Sequence, residues 1–352
     1  MTNRALYLTE DGHPVITNSM LTTFRRCIKQ SEYKYVHRLK PKQLGQPLKR
    51  GTWVHELLEV HTKGGDWKAH HKKLSAQFDQ MFDAEKEFYG DMPREILHLM
   101  QSYFWHYKED PWIYHESEFE LEVTLPNGSI FRCKVDNLIE NEHGLWLVDH
   151  KTHKSLPNLR YRMLDTQSPL YIWAAHKNGI PVQGFIWNYI RWKEPTYPKL
   201  AYAGKPSERL SRSAIDTDYP TFKKGLKLLG QDPADHKVEL ARLKAMRYEH
   251  GKPQTSPFFL RYVMEKQPDL LDRVVKEMRR TEKRARKYDF SDPDAVERTV
   301  GRHCEFMCSY TDLCGMELLG GNTKPMIKQN FDVGDPMSYY HDRAGDIEGR
   351  EI

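Results

Sequence analysis

A change of hydrophobic period partway along the chain predicts an α/β fold, with a small mixed β-sheet flanked by helices. Up to about residue 110, apolar residues recur at helical spacing. From Glu116 they alternate with acids at strand spacing, and after Pro195 the chain becomes mostly helical again. Asn127-Gly128 and a second turn over 141–144 cut the middle stretch into three antiparallel strands. The expected organisation is an N-terminal helical region (1–110), a core (111–195), a helical C-terminal region (196–325) and a weakly ordered tail (326–352).

The opening segment, to Ile16, is polar and reads as loop or short strand. Asn18 and Ser19 are residue types that cap helices. They precede an amphipathic helix with Leu21, Phe24 and Ile28, which also carries Cys27. A second helix is expected over 49–62, with Trp53, Val54, Leu57, Leu58 and His61, and two more over 67–87 and 93–107. Phe119, Leu121, Val123 and Leu125 then alternate with Glu118, Glu120 and Glu122, the pattern of a half-buried strand over 116–125. Strands over 130–139 and 145–151 complete the meander. A helix over 160–177 ends at Asn178-Gly179, and 181–192 reads as a fourth strand. The stretch 272–287 holds eight basic and three acidic residues. There is no internal repeat and no low-complexity tract.

At 352 residues the chain is one large domain or two modest ones. Hydrophobic residues make up 39% and charged residues 29%, and mean hydropathy is −0.77, which predicts a globular protein with a very polar surface. No stretch reaches the roughly 18–20 apolar residues of a membrane span. The N-terminus lacks the order of a signal peptide, so a cytoplasmic location, with no membrane partner, is expected. A net charge of +5 is compatible with a nucleic-acid partner without establishing one. Five cysteines in a chain of this size are not a disulfide framework; they are core thiols or metal ligands.

The chemistry concentrates in residues 145–152, LWLVDHKT. Asp149 and Lys151 point to one side of a strand and His150 to the other. Pairing Glu140 with Leu145 across the turn puts Asp136 opposite Asp149, where cross-strand Cβ atoms stand about 4.5–5.5 Å apart. Two carboxylates that close repel unless a cation lies between them. Oxygen ligands of this kind suit Mg²⁺ or Mn²⁺. Lys151 would then stand beside the water that such an ion acidifies, which assembles the parts needed for phosphodiester hydrolysis. His55, in RGTWVHELLE, supplies a candidate imidazole ligand. Gln167 and Tyr171 are four apart and share a helix face.

The ordered set His55, Asp136, Asp149-x-Lys151, Gln167-x-x-x-Tyr171 resembles the PD-(D/E)XK nucleases of the RecB type, over roughly residues 16–192. The resemblance implies a restriction-endonuclease-like core. It implies metal binding by His55, Asp136, Asp149 and the His150 carbonyl, and gives Lys151 the positioning or activation of water. It places Gln167 and Tyr171 beside the active site, supporting it and contacting DNA. Val135 stands where the superfamily name has Pro, Cys133 where Gly is frequent, and Asp149 is shorter than the more usual Glu.

Cys304, Cys308 and Cys314 form C-x3-C-x5-C. Zinc or an iron–sulfur cluster needs a fourth ligand, for which Cys27 and Cys133 are the candidates. The branch that includes AddB and the CRISPR-associated nucleases has a similar arrangement, one cysteine before the core and three after it. That resemblance implies a structural [4Fe–4S] cluster on Cys27, Cys304, Cys308 and Cys314, closing the helical additions on each other, with zinc as the alternative. It leaves Cys133 as a core thiol.

H-E-L-L-E at 55–59 has Glu59 where a metalloprotease needs its second histidine. No P-loop or GxGxxG occurs, so a helicase or recombination protein would have to act in trans. Arg25, Arg26, Lys49 and Arg50 are the expected phosphate contacts near the acids, and the basic stretch 272–287 is a further candidate. The reading is a metal-dependent deoxyribonuclease, an exonuclease working on free DNA ends in recombination, repair or replication, from a prokaryotic or phage-infected cell. The alternative is a DNA-binding scaffold with a nuclease fold that does not cut.

Overall fold

In the computed structural model, residues 7–8, 12–201, 204, 209–211, 213–292 and 296–337 are described. The later part of the expected tail, 338–352, lies outside them. Two short strands, β1 (Tyr7–Leu8) and β2 (Pro14–Ile16), open the chain. Thr17 caps the first helix, α1 (Asn18–Arg26), its hydroxyl accepting from the Met20 N–H. The cap therefore lies one residue before the expected Asn18. Cys27 is not on that helix: its backbone is extended, and it forms the joint to a short α2 (Ile28–Ser31). A π-helical turn (Glu32–Val36) and β3 (Leu39–Pro41) lead to α3 (Gln46–Thr62), which carries His55. The stretch expected as one helix over 67–87 is two, α4 (Trp67–Asp79) and α5 (Asp83–Tyr89). The new start is fixed by Glu85, which accepts from the Phe82 N–H at 3.2 Å. α6 (Met92–His106) completes the N-terminal helices.

The sheet is built from β4 (Ile113–Thr124), β5 (Ile130–Asn141), β6 (Gly144–His153) and β7 (Gly184–Arg191), joined by α7 (Gln167–Lys177). The predicted helix over 160–177 breaks before α7. The Asp165 carboxylate accepts from the Ser168 N–H and hydroxyl at 2.8 and 2.7 Å, leaving a separate 3₁₀ turn at Leu159–Leu164. A small hairpin, β8 (Leu200–Ala201) with β9 (Arg209–Leu210), precedes α8 (Tyr219–Leu228) and α9 (Lys237–Ala245).

The C-terminal half is not all helical. β10 (Phe259–Glu265) pairs antiparallel with β7 and forms an edge of the main sheet. Its apolar run is interrupted by Arg261, which hid the strand in the sequence. The Arg261 guanidinium is buried, 2.8 and 2.6 Å from Asp110, and stacked on the rings of Tyr107 and Trp112 at 3.7 and 3.4 Å. Gly184 lets β7 fit here, because a Cβ on it would strike the Met264 carbonyl and the Trp146 ring.

Along the sheet the order is β1-β2-β5-β6-β7-β10, with β4 on the other edge of β5. The sheet is mixed, since β2–β5 and β6–β7 are parallel pairs. One face packs with α1, α7 and α10 (Pro268–Lys287) through Leu147, Leu170, Phe185, Trp187 and Met278. The other packs with α3, α4 and α6 through Val54, Leu57, Leu99 and Ile190. This is the small mixed sheet flanked by helices that the resemblance implies.

α11 (Arg302–Phe306) and α12 (Thr311–Leu318) carry the cysteine trio, and α13 (Lys324–Asn330) with β11 (Phe331–Val333) follows. β11 pairs antiparallel with β3, and Met337 is buried. Residues 326–337, expected as loose tail, are therefore packed structure. The apolar contacts of Met326, Ile327 and Phe331 with Leu39, Tyr33 and Tyr310 hold them.

Replacing Asp110 by Ala leaves Arg261 charged and buried without its carboxylate. The expected loss is about 3–5 kcal/mol of stability, measured by urea unfolding. A loss under about 1 kcal/mol would show that ring stacking alone holds Arg261.

Candidate active site

The β5–β6 ladder runs from Asn141↔Gly144 through Glu140↔Leu145 to Asn137↔Val148, the predicted register. It stops one pair short of Asp136 and Asp149. β2 takes the same edge of β5 at Ile130 and Phe131. Between those two partners the edge is open, and Asp136 stands at its margin. Its Oδ2 accepts the backbone N–H of His150 at 2.6 Å, so a side chain replaces the missing ladder bond. β6 continues beside β7, with Asp149↔Trp187 and Lys151↔Tyr189.

At the same point the side-chain alternation reverses. Phe131, Cys133 and Val135 enter the α7-side core, as does Leu138, whereas Ile139 packs on the opposite face with Trp146 and Val148. A regular strand would put Ile139 with Val135. The reversal occurs at Asp136, which turns its carboxylate toward the seam instead of one face. The partner strand reverses too. Phe119 and Leu121 pack in the α7-side core, but Ser117 bonds Asn137 at 2.8 Å on the other face. Between them Glu118 has φ 56°, the left-handed region.

The expected residues converge on this opening. His55 Nδ1 lies 3.5 Å from Asp136 Oδ2. Lys151 Nζ is 2.6 Å from Asp149 Oδ2, and Gln167 donates to Asp149 Oδ1 at 2.5 Å. The His150 ring is held away by Asn137 and Asn188, at 2.8 and 2.7 Å, so His150 faces the site with its main chain. Burial pushes that ring's pKa down to about 3, keeping it neutral.

The acids differ in electrostatics. Burial opposes charge on Asp136, but His55 and Lys151 prevail and hold it well below the usual carboxylate range. Burial pushes Asp149 up to about 6; Lys151 pulls it down and Asp136 adds to the rise. Burial disfavours charge on His55, yet Asp136 outweighs it and lifts the imidazole to about 9. Lys151 is raised, since Asp149 and Asp136 overcome its burial. The donor set of carboxylates and one imidazole fits Mg²⁺ or Mn²⁺.

Two residues were missed in the sequence. Glu118 read as one more acid on the solvent face of a strand, but its side chain is 7% exposed and 3.3 Å from Lys134. Its carboxylate joins His55 and Asp136 in a group whose ligand atoms lie within 4.8 Å of one another. Burial first, and Asp136 next, raise its pKa. Arg162, from the 3₁₀ turn, lies over the rings of Trp187 and Tyr189 at 4.6 and 5.1 Å. Lys151 Nζ is 5.3 Å from the same Trp187 ring. No local pattern marks Arg162; β6–β7 pairing brings it in. A groove of about 590 Å³ opens beside these groups, lined by Leu48, Gly51, Thr52, His55, Glu118 and Lys151 among others.

Other expected contacts sit elsewhere. Tyr171 is buried in the core with its ring edge-on to Phe185, so it does not present a surface to DNA as the resemblance implies. Arg50 is buried, paired with Glu95 and stacked on Trp192 at 5.0 Å, which removes it from the set of phosphate contacts. Arg26 donates to Gln30, and Arg25 donates to the Leu21 carbonyl at 3.4 Å. Lys49 is half-buried on α3.

Cys27, before the core, stands near Cys304 and Cys308, after it, although among the described residues no three cysteine thiols lie within 4.8 Å of one another. Burial raises the Cys308 thiol, and the neighbouring Cys27 and Cys304 raise it further. Cys308 and Cys314 pack against Tyr33, Leu39 and Leu313. Cys133 is fully buried in the main core, the thiol role expected of it. Direct contacts also join the ends. Buried Lys29 lies 2.7 Å from Glu32 and 2.5 Å from Glu317, and the Tyr310 hydroxyl donates to the Leu39 carbonyl at 2.7 Å.

A divalent cation taken up by the His55 nitrogen must displace a proton, because that imidazole is charged up to about pH 9. Mn²⁺ affinity is expected to rise about tenfold per unit between roughly pH 7 and 9, then level off. Calorimetry in two buffers of different ionisation enthalpy, near pH 7.5, is expected to give about one proton released. His55→Ala is expected to bind more weakly and lose that release. Equal release from both proteins would remove His55 from the ligand set.

The family model described as "PD-(D/E)XK nuclease superfamily" matches residues 16–315. A solved structure, "Crystal structure of SSO0001", is similar over 85% of this chain and 85% of that one, at 12% identity and a TM-score of 0.31. No curated protein matches. With the greater part of its length matched by one family model, the chain belongs to the PD-(D/E)XK nuclease superfamily.

Proposed function

We propose that the protein is a divalent-metal-dependent deoxyribonuclease of the RecB/AddB-like type, an exonuclease acting at DNA ends. The observation that carries this reading is the meeting of Asp136, Asp149, Lys151 and His55 where β5 and β6 part, beside an open groove. Asp136, Asp149, His55 and the His150 carbonyl would hold Mg²⁺ or Mn²⁺. Such an ion lowers the pKa of water and neutralises charge on a phosphoryl oxygen. Lys151 orients the attacking water from its place against Asp149 and meets negative charge as it develops on the phosphate. Gln167 fixes the Asp149 carboxylate, and Arg162, held on Trp187 and Tyr189, is a second cation for the adjoining phosphate. No helix among the described residues is long and apolar enough to cross a membrane. Strand opening, where the substrate is duplex, falls to a helicase or recombination protein in trans.

The same reading gives Cys27, Cys304, Cys308 and Cys314 a [4Fe–4S] cluster. It would act as a staple between chain ends that Lys29, Glu32 and Glu317 already join. Its role is structural: an added link across so long a loop restricts the unfolded chain.

The activity is tested with 5′- and 3′-labelled single- and double-stranded DNA plus Mn²⁺, with circular DNA as the substrate lacking ends. Mononucleotide release from linear but not circular DNA is expected. Asp149→Ala and Lys151→Ala should each lower the rate by about 10²-fold or more. Wild type and Asp149→Ala behaving alike would leave the fold as a non-cutting DNA-binding scaffold.

The cluster is tested by colour and metal content. Brown protein with broad visible absorption and iron is expected, with both lost in Cys304→Ala. Colourless protein with one equivalent of zinc would replace the cluster by a zinc site.

A further inference from the structure

The turn between β5 and β6 lies at the end of their ladder away from the acids. Gly144 and Asp149 are five residues apart on β6, about 17 Å along an extended strand. Glu142 and His143 stand on that turn, and His250 stands on the connection between α9 and β10. These two distant segments bring three donors to one point. Glu142 Oε1 lies 2.7 Å from His250 Nε2 and 3.5 Å from His143 Nε2. One ligand atom from each residue falls within 4.8 Å of the others. Zinc bound at about 2.0–2.2 Å spaces tetrahedral donors about 3.4 Å apart, so small side-chain rotations complete the set.

Both supports are fixed. The Asn141 side-chain oxygen accepts from the His143 N–H at 2.9 Å and from the Trp146 indole N–H at 3.1 Å, which sets the turn. Gln254 bonds the Arg261 main chain in both senses at 2.7 Å, which ties the other segment to β10. The Tyr248 hydroxyl lies 3.4 Å from His250 Nδ1. There it can accept that ring's N–H and leave the Nε2 lone pair for a metal. All three side chains are exposed, so an ion reaches them from solvent. His143 and His250 also line a cavity of about 590 Å³, together with Trp112, Trp146 and Tyr248.

We propose that Glu142, His143 and His250 form a binding site for a borderline transition-metal ion such as Zn²⁺. It is separate from the seam acids and from the cysteines, and it does not rest on the nuclease reading. Two imidazoles and one carboxylate are a zinc donor set that leaves a fourth position open. The imidazoles turn the site away from Mg²⁺, which prefers oxygen donors. The ion clasps the α9–β10 connection to the β5–β6 turn at the edge of the cavity.

The test counts Zn²⁺ taken up by the full chain as purified, in excess Mg²⁺, against a chromophoric chelator. Whatever the cysteines take is the same in wild type and variants, so the difference reads this site. His143→Ala and His250→Ala are each expected to take one equivalent fewer, or to hold it at least tenfold more weakly. In chelator all three proteins should melt together, because the side chains are exposed. With Zn²⁺ only the wild type should rise. One equivalent of Cu²⁺ gives a signature of the ligands themselves. Its electron paramagnetic resonance should show coupling to two imidazole nitrogens in wild type and to one in either variant. The cluster of His55, Glu118 and Asp136 offers one imidazole and gives no two-nitrogen pattern. Equal Zn²⁺ uptake by wild type and both variants overturns the site. So does uptake lost in one histidine variant alone, or a wild-type copper signal from a single nitrogen.

Discussion

The hydrogen bond from the His150 N–H to Asp136 Oδ2 is the constraint on which the site depends. A β-ladder normally closes one main-chain group on another. Here β6 leaves β5 after Asn137↔Val148, and a buried amide would be orphaned if no acceptor replaced the lost carbonyl. Asp136 supplies it. A carboxylate serving as an end-stop for a ladder is fixed in place by the fold's own hydrogen bonding. On the proposed reading, its other lone pairs would serve a cation. The reversal of alternation on both β4 and β5 at this level follows the same logic, since a regular strand would confine Asp136 to one face.

That opening needs support from both sides. Trp187 and Tyr189, next to β6 in register, form a floor on which Lys151 and Arg162 lie. α3 brings His55 from the other side. The segments before and after the core are fastened by β3–β11 pairing and by Lys29 with Glu32 and Glu317. A buried lysine is tolerable there because two carboxylates surround it.

Much of this was legible in the sequence because strand pairing follows from turns. The 141–144 turn fixed Glu140 opposite Leu145 and thereby brought Asp136 to the level of Asp149. The cysteine spacing and the Gln167 position on its helix were equally local signals. Glu118 was not legible for a reason of one residue. A two-residue Asn127-Gly128 loop would pair Phe119 with Asp136. Instead Leu125 and Ser129 close a three-residue loop, with Gly128 at φ 81°, and the register moves by one. That puts Glu118 across from Asp136. β10 was hidden by Arg261, whose charge reads as solvent exposure until Asp110 and three aromatic rings are placed around it. Arg50 misled in the opposite sense: its partners Glu95 and Trp192 come from distant segments, so a buried arginine looked like a free one.

The charges of the site show why composition says so little. Asp136, Asp149 and Glu118 carry the acid side, and His55, Lys151 and Lys134 stand against them. Each acid has a cation beside it, so the cluster is nearly neutral and adds almost nothing to a net charge of +5. Near-neutrality is what lets such a group be buried at all. It also sets the condition for taking up a dication: a positive group must leave or lose its proton. His55 can do so near neutral pH, because its charge is sustained by Asp136 and not by its own basicity. Lys151 cannot, since two acids raise it further. On the proposed reading, the proton on His55 would be the one a metal exchanges for, and Lys151 the charge left to meet the phosphate.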